Sequence, residues 1–244
     1  MKKLLVSCSL LISMSCWATN TPTLNSITEY KKIKGLSDDA SQAYTFAQRY
    51  GWSALVTEFE NGNINKSAMK NKEVSTLCDV AFRMLRVNDV KRLMVAGCIA
   101  NPDSAYKSIN TALKQSNGQV DEQAIIAKLK FYQEQNLFKT QQTFGRGYTA
   151  YSISAFDLAA SFGLADVTAY LFSIGLKPSK ETNLLTSHFN GSSPSLKLTN
   201  LLLASGIKPT RSTLLAMEKR HFETAYPDIY TRMLQELNQL GKKY

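Results

Sequence analysis

One stretch constrains the fold of this 244-residue chain more than any other: residues 154–178, SAFDLAASFGLADVTAYLFSIGLKP. Apolar side chains fall at Phe156, Leu158, Ala159 and Phe162, then at Val167, Tyr170, Leu171 and Ile174. Within each half they recur every three or four residues, the spacing of one helical face. Gly163 separates the halves and Gly175 ends the second, each where a helix C-cap wants a left-handed residue. The spacing predicts two short helices packed back to back, closed by a turn holding Pro178. Such a hairpin cannot bury both faces alone, so it calls for neighbours of its own kind.

The pattern recurs along the chain. In residues 43–62, Ala47 and Gly51 keep the spacing of Ala159 and Gly163, Leu55, Val56 and Phe59 supply a second helix, and Gly62 ends it. In residues 77–97, Ala81 lies 34 positions after Ala47, Asn88-Asp89-Val90 echoes Ala165-Asp166-Val167, and Gly97 closes the unit. Residues 103–138 are longer and less regular: Tyr106, Ile109 and Leu113 suggest one helix, Ser116-Asn117-Gly118 a turn, and Ile125, Ile126, Leu129 and Tyr132 a second helix. In residues 183–209, Leu198, Leu201 and Leu202 form a helical face, and Gly206-Ile207-Lys208-Pro209 copies Gly175-Leu176-Lys177-Pro178. Residues 141–148, rich in glycine and aromatics, have no helical period and read as an inserted loop.

These residues resemble an ankyrin repeat, whose core reads T-P-L-H-x-A-A, then a glycine, a Leu-rich second helix and a closing glycine. Ser154, Ala155, Phe156, Asp157, Ala159, Ala160, Gly163, Leu171 and Gly175 occupy those positions, without the Pro and His of the motif. The resemblance implies an all-α, ankyrin-like helical-hairpin solenoid of about five repeats, near 40–66, 74–100, 103–138, 152–178 and 183–209. A more polar C-terminal helical cap over 211–244 would complete a single domain spanning 37–244. A tetratricopeptide array has a similar period, but it places glycine early in its first helix, whereas the glycines here fall at helix ends.

The chain opens MKKLLVSCSLLISMSCWATNTP. Lys2 and Lys3 precede a short apolar run over 4–14, and small residues around Ala18 suit a cleavage site, so residues 1–18 read as a cleaved export signal peptide. The run is too short to span a bilayer as a mature helix. Lipid attachment at Cys8 or Cys16 is the alternative reading of the same segment. Residues 19–36 read as a polar N-terminal linker, with one or two helical turns over 27–33. The expected location is the periplasm.

Lys and Arg outnumber Asp and Glu 29 to 19, a net charge of +10 that falls to about +8 without Lys2 and Lys3. Such a balance suits nucleic acid, an anionic surface or an acidic protein. Export argues against nucleic acid, and the basic residues are scattered apart from Lys31, Lys32 and Lys34 and the terminal Lys242 and Lys243.

The chemistry-bearing residues are sparse. His188 and His221 lie far apart and no His/Cys cluster has zinc spacing. Gly145-Arg146-Gly147 lacks the strand and Lys-Ser of a phosphate loop. Asp38-Asp39 and Asp121-Glu122 sit at helix starts, where carboxylates favour the dipole. No catalytic, cofactor-binding or metal-binding residue is assigned, and the chain is not expected to be an enzyme. Cys78 and Cys98 flank one predicted hairpin, where the start of the first helix lies beside the end of the second. They read as a disulfide, or else as two buried thiols.

The expectation is an exported protein-binding module whose partner is another protein, acidic or a toxic effector, with no cofactor, no nucleic acid and no stable membrane span. The predicted contact residues are Phe144, Arg146, Tyr148 and Tyr151 in the inserted loop, and Lys177 and Lys208 on the matching turns. The function expected is that of a periplasmic immunity protein. The alternative is a scaffold or protective partner of an envelope or stress enzyme.

Overall fold

The structure is a computed structural model that describes residues 22–99, 104–115, 119–138, 141–144, 151–178, 183–191, 195–239 and 241. Residues 1–18, read above as an export signal, and with them Cys8 and Cys16, lie outside the described residues.

The fold is helical. Its helices come in pairs: α1 (Asp38–Tyr50) with α2 (Trp52–Glu60), α3 (Asn71–Met84) with α4 (Val87–Val95), and α5 (Ser104–Gln115) with α6 (Glu122–Glu134). They continue as α7 (Ala155–Ser161) with α8 (Ala165–Ser173), and α9 (Leu184–Gly191) with α10 (Leu196–Ala204). The chain ends in α11 (Arg211–Glu218), the single turn α12 (Phe222–Ala225) and α13 (Pro227–Gln239). Odd-numbered helices stack on odd from α1 to α13, and even on even from α2 to α10, so the pairs line up in two layers. One apolar core runs the length of the stack, from Phe46 and Leu55 through Phe82 and Leu93 to Phe189, Leu202 and Met233.

The predicted helices of residues 154–178 are α7 and α8. Every residue from Ser154 to Ala160 is buried, including Ala159 and Ala160 at 0%. Neighbours α5 and α9 pack on α7 from the two sides and α8 from behind, and the alanines allow that close approach.

The even helices end alike. Gly62, Gly97, Gly175 and Gly206 have positive φ, and so does Asn136, at 54°. In each case the next residue donates its N–H to the carbonyl five positions back: Asn63 to Glu58, Cys98 to Leu93, Leu137 to Tyr132, Leu176 to Leu171 and Ile207 to Leu202, at 2.8–3.1 Å. This is the Schellman closure of a helix. The irregular pair α5–α6 therefore has the same ending as the rest, with Asn in place of Gly.

Two expectations are corrected. The stretch read as an inserted loop opens with a strand: Gln141–Phe144 (β1) pairs antiparallel with Tyr151–Ser154 (β2), in the register Gln141 to Ser154 and Phe144 to Tyr151. Thr143, Phe144, Tyr151 and Ile153 are β-formers, and the glycines at 145 and 147 fall between the strands. The segment read as a polar linker is docked instead. A 3-10 turn, Leu24–Ser26, replaces the helical turns expected over 27–33, and Leu24 and Ile27 are buried. Side chains of the first pair take its backbone groups: Gln42 donates to the Leu24 and Ile27 carbonyls, Arg49 donates to the Glu29 carbonyl, and Glu58 and Ser41 accept from the N–H groups of Leu24 and Ile33. Those bonds compete with local helix formation, and the strap covers the open end of the stack.

Candidate functional site

The predicted contact residues fall in two places. Phe144 and Tyr151 face each other as Cα partners at the loop end of the hairpin, while Arg146 and Tyr148 lie outside the described residues. Strand β2 ends on Ser154, the N-cap of α7, so the hairpin is joined without a linker to the most buried helix of the stack. Ser154 Oγ accepts from Asp157 N at 2.9 Å, and Asp157 Oδ2 accepts from Ser154 N at 3.3 Å. This capping box occupies the first and fourth motif positions. Lys177 and Lys208 are exposed on the turns after α8 and α10. Because α8 packs on α10, the two turns belong to adjacent pairs along one edge.

The even helices are tied to one another by polar contacts that sequence reading missed. Arg92 on α4 makes a bidentate contact with Glu60 on α2, at 2.9 and 2.6 Å, and also holds Asp89. The Arg92 guanidinium holds the Glu60 carboxyl below its ordinary range, and Glu60 in turn raises Arg92. Lys91 sits 5.4 Å from the centre of the Phe131 ring, between α4 and α6. Glu122 lies in the first turn of α6, as expected, and also reaches the next pair. Its Oε2 accepts from Asp166 N and Val167 N, at 2.7 and 2.9 Å, and so caps α8 of the next pair. Asp166 pairs in turn with Lys197 on α10, and Asn200 with Arg232 on α13. The Asp89 and Asp166 that echo each other in sequence both bridge neighbouring pairs: Asp89 accepts from Ser53 on α2, and Asp166 from Gln123 on α6 and Lys197 on α10. Those three partners are 31 to 43 residues away, too far for any local pattern to reveal.

Where α3 ends against α6, a cavity of about 300 Å³ opens. Met84, Leu85, Ala112, Ile125 and Leu129 supply apolar walls, and Lys128 lines it too. Lys128 is 7% exposed. Its Nζ donates to the carbonyls of Arg83, at 3.0 Å, and Leu85, at 2.7 Å, while one turn on Tyr132 Oη donates to the Phe82 carbonyl, at 3.2 Å. Together they satisfy carbonyls that the end of α3 leaves without helical partners. Burial brings the Lys128 ammonium down to about 7. In the sequence KLKFYQE this lysine looks like part of a solvated face.

Cys78, inside α3, and Cys98, just after α4, form a disulfide with Cα atoms 5.6 Å apart. Two apolar side chains beside Cys98 point outward: Val95 is 90% exposed and Ile99 84%. His188 is buried on α9, and its Nε2 accepts from Ser195 N at 3.3 Å. His221 is exposed on the left-handed residue before α12. Among the described residues no group of three His, Cys, Asp or Glu is placed to hold a metal, and no helix is long and apolar enough to cross a membrane. No protein-family model, curated protein or solved structure matches the chain.

Proposed function

We propose that this chain is an exported, ankyrin-like protein-binding module that acts as an immunity protein, binding a toxic effector in the periplasm and blocking it. The observation that carries the reading is the two-layer stack of helical pairs, odd on odd and even on even, closed by a docked strap at one end and α11–α13 at the other. A stack of this kind offers a surface running across several pairs, which suits recognition of a folded protein. Supporting it are the capping box of Ser154 and Asp157 at the motif positions and the repeated closure after the even helices. The hairpin tip and the edge holding Lys177 and Lys208 are the contact elements, and the basic edge favours an acidic partner by steering its approach.

Cross-linking and pull-down from the periplasm of the producing cell is the test. An effector that co-purifies, and whose toxicity the protein suppresses in a co-expressing cell, is the expected result. Recovery of an endogenous envelope enzyme instead, with no protection from any effector encoded beside this gene, would favour the scaffold reading. A protein found in the cytosol with Met1 intact would overturn both.

A further inference from the structure

The cavity beside Lys128 has no part in the partner-binding reading, and its chemistry is specific. Its volume of about 300 Å³ is at the lower end of small-molecule sites. Met84, Leu85, Ile125 and Leu129 make much of the wall apolar. Into that wall is set one buried ammonium. Its two bonds to the Arg83 and Leu85 carbonyls use two of three N–H groups, and among the described residues no carboxylate pairs with it. Asp121, the single acid among the described lining residues, faces the backbone of its own helix, where it accepts from Ala124 N at 3.0 Å as the N-cap of α6. Arg83 and Arg86 add further positive charge to the lining.

A buried cation without a counter-charge is costly, and the cost falls when a hydrogen-bonded anion joins it. Bare phosphate satisfies the charge but leaves the apolar walls against water. An alcohol with an apolar tail does the reverse. We propose that the cavity binds a small carboxylate carrying a short apolar tail, with the carboxylate on the third N–H of Lys128 and the tail against Met84, Ala112 and Ile125. The site is a second binding function, separate from the partner edge, and it stands or falls separately from the immunity reading.

Calorimetric titration of the purified protein with hexanoate, hexan-1-ol and inorganic phosphate tests it. Hexanoate should bind roughly tenfold or more tighter than hexan-1-ol, the ratio that one charge-assisted hydrogen bond supplies. It should also bind tighter than phosphate. Lys128→Met should bring hexanoate down to the level of the alcohol. Ala124→Leu, which fills the cavity and leaves Lys128 in place, should remove hexanoate binding while circular dichroism stays unchanged. If Lys128→Met does not fold, the ligand ratios in the native protein and the Ala124→Leu variant decide. No hexanoate binding, equal affinity for acid and alcohol, tighter binding of phosphate, or full hexanoate affinity in folded Ala124→Leu would each overturn the proposal.

Discussion

Ser154 and Asp157 close on each other at the first turn of α7, each accepting from the other's backbone N–H, and both are buried, at 4% and 2% exposure. The box holds the junction where the hairpin becomes the central helix. Ser154→Ala leaves the Asp157 N–H without its acceptor, and a lost N-cap costs about 1 kcal/mol, up to about 2 where the site is buried. Urea unfolding should show a lower midpoint at unchanged slope, and Ser154→Asp should recover much of the loss. Equal stability of native protein and Ser154→Ala would remove the box from the account of α7.

Asn136 is the one non-glycine residue among the five even-helix endings, held at a φ of 54°. The left-handed region costs an L-residue about 1–2 kcal/mol, less for Asn. Asn136→Gly should therefore stabilise by a few tenths to about 1 kcal/mol, whereas Asn136→Val should destabilise by more than it gains. Thermal melting of the two variants checks the sign of each.

The bond between Cys78 and Cys98 spans 20 positions of chain and ties the middle of α3 to the end of α4. Closing a loop of that size contributes about 3 kcal/mol by the chain-entropy estimate. Unfolding with and without dithiothreitol should differ by about that amount, and the unfolded, unreduced protein should show no thiol labelling at these two positions.

His188 gives the fold a dependence on acid. Burial lowers its ring to about 4 from an ordinary 6.5, and Nε2 must stay unprotonated to accept from Ser195 N. Between those values the unfolded chain takes up a proton that the folded chain refuses, so stability is complete above about pH 6.5 and falls as pH drops toward 4. At about 1.4 kcal/mol per unit the loss reaches roughly 3 kcal/mol. Urea midpoints at pH 7 and pH 5 should differ in the native protein and differ less in His188→Gln.

The hairpin tip carries the proposed interface. Arg146→Ala with Tyr148→Ala should leave melting nearly unchanged and weaken capture of the co-purifying partner by about 2 kcal/mol or more, the level of an interface hot spot. Full affinity in the folded double variant would take the tip out of the interface. A large loss of stability would mean that these side chains pack on the stack instead.

What the sequence by itself determined are the features set by local rules. The spacing of Phe156, Leu158 and Ala159 makes a helix, although α7 is buried on every side and Phe162, at its C-cap, is half exposed, and Gly163 and Gly175 stop the helices because glycine accepts positive φ without a steric cost. The closeness of Cys78 and Cys98 follows from the return of a short helical pair. Tertiary structure decided what depends on partners distant in the chain. Leu24 and Ile27 look like linker residues until Gln42 and Glu58 take their backbone groups. Residues 141–148 read as a loop because β-pairing across a gap of six residues leaves no helical period to detect. Glu122 looks like a residue of its own helix start, yet its carboxylate also accepts from the N–H groups of Asp166 and Val167 at the start of α8. Lys128 is polar in sequence and buried in fact, because the end of α3, more than 40 residues earlier, presents two carbonyls that only a donor reaching across from α6 can satisfy.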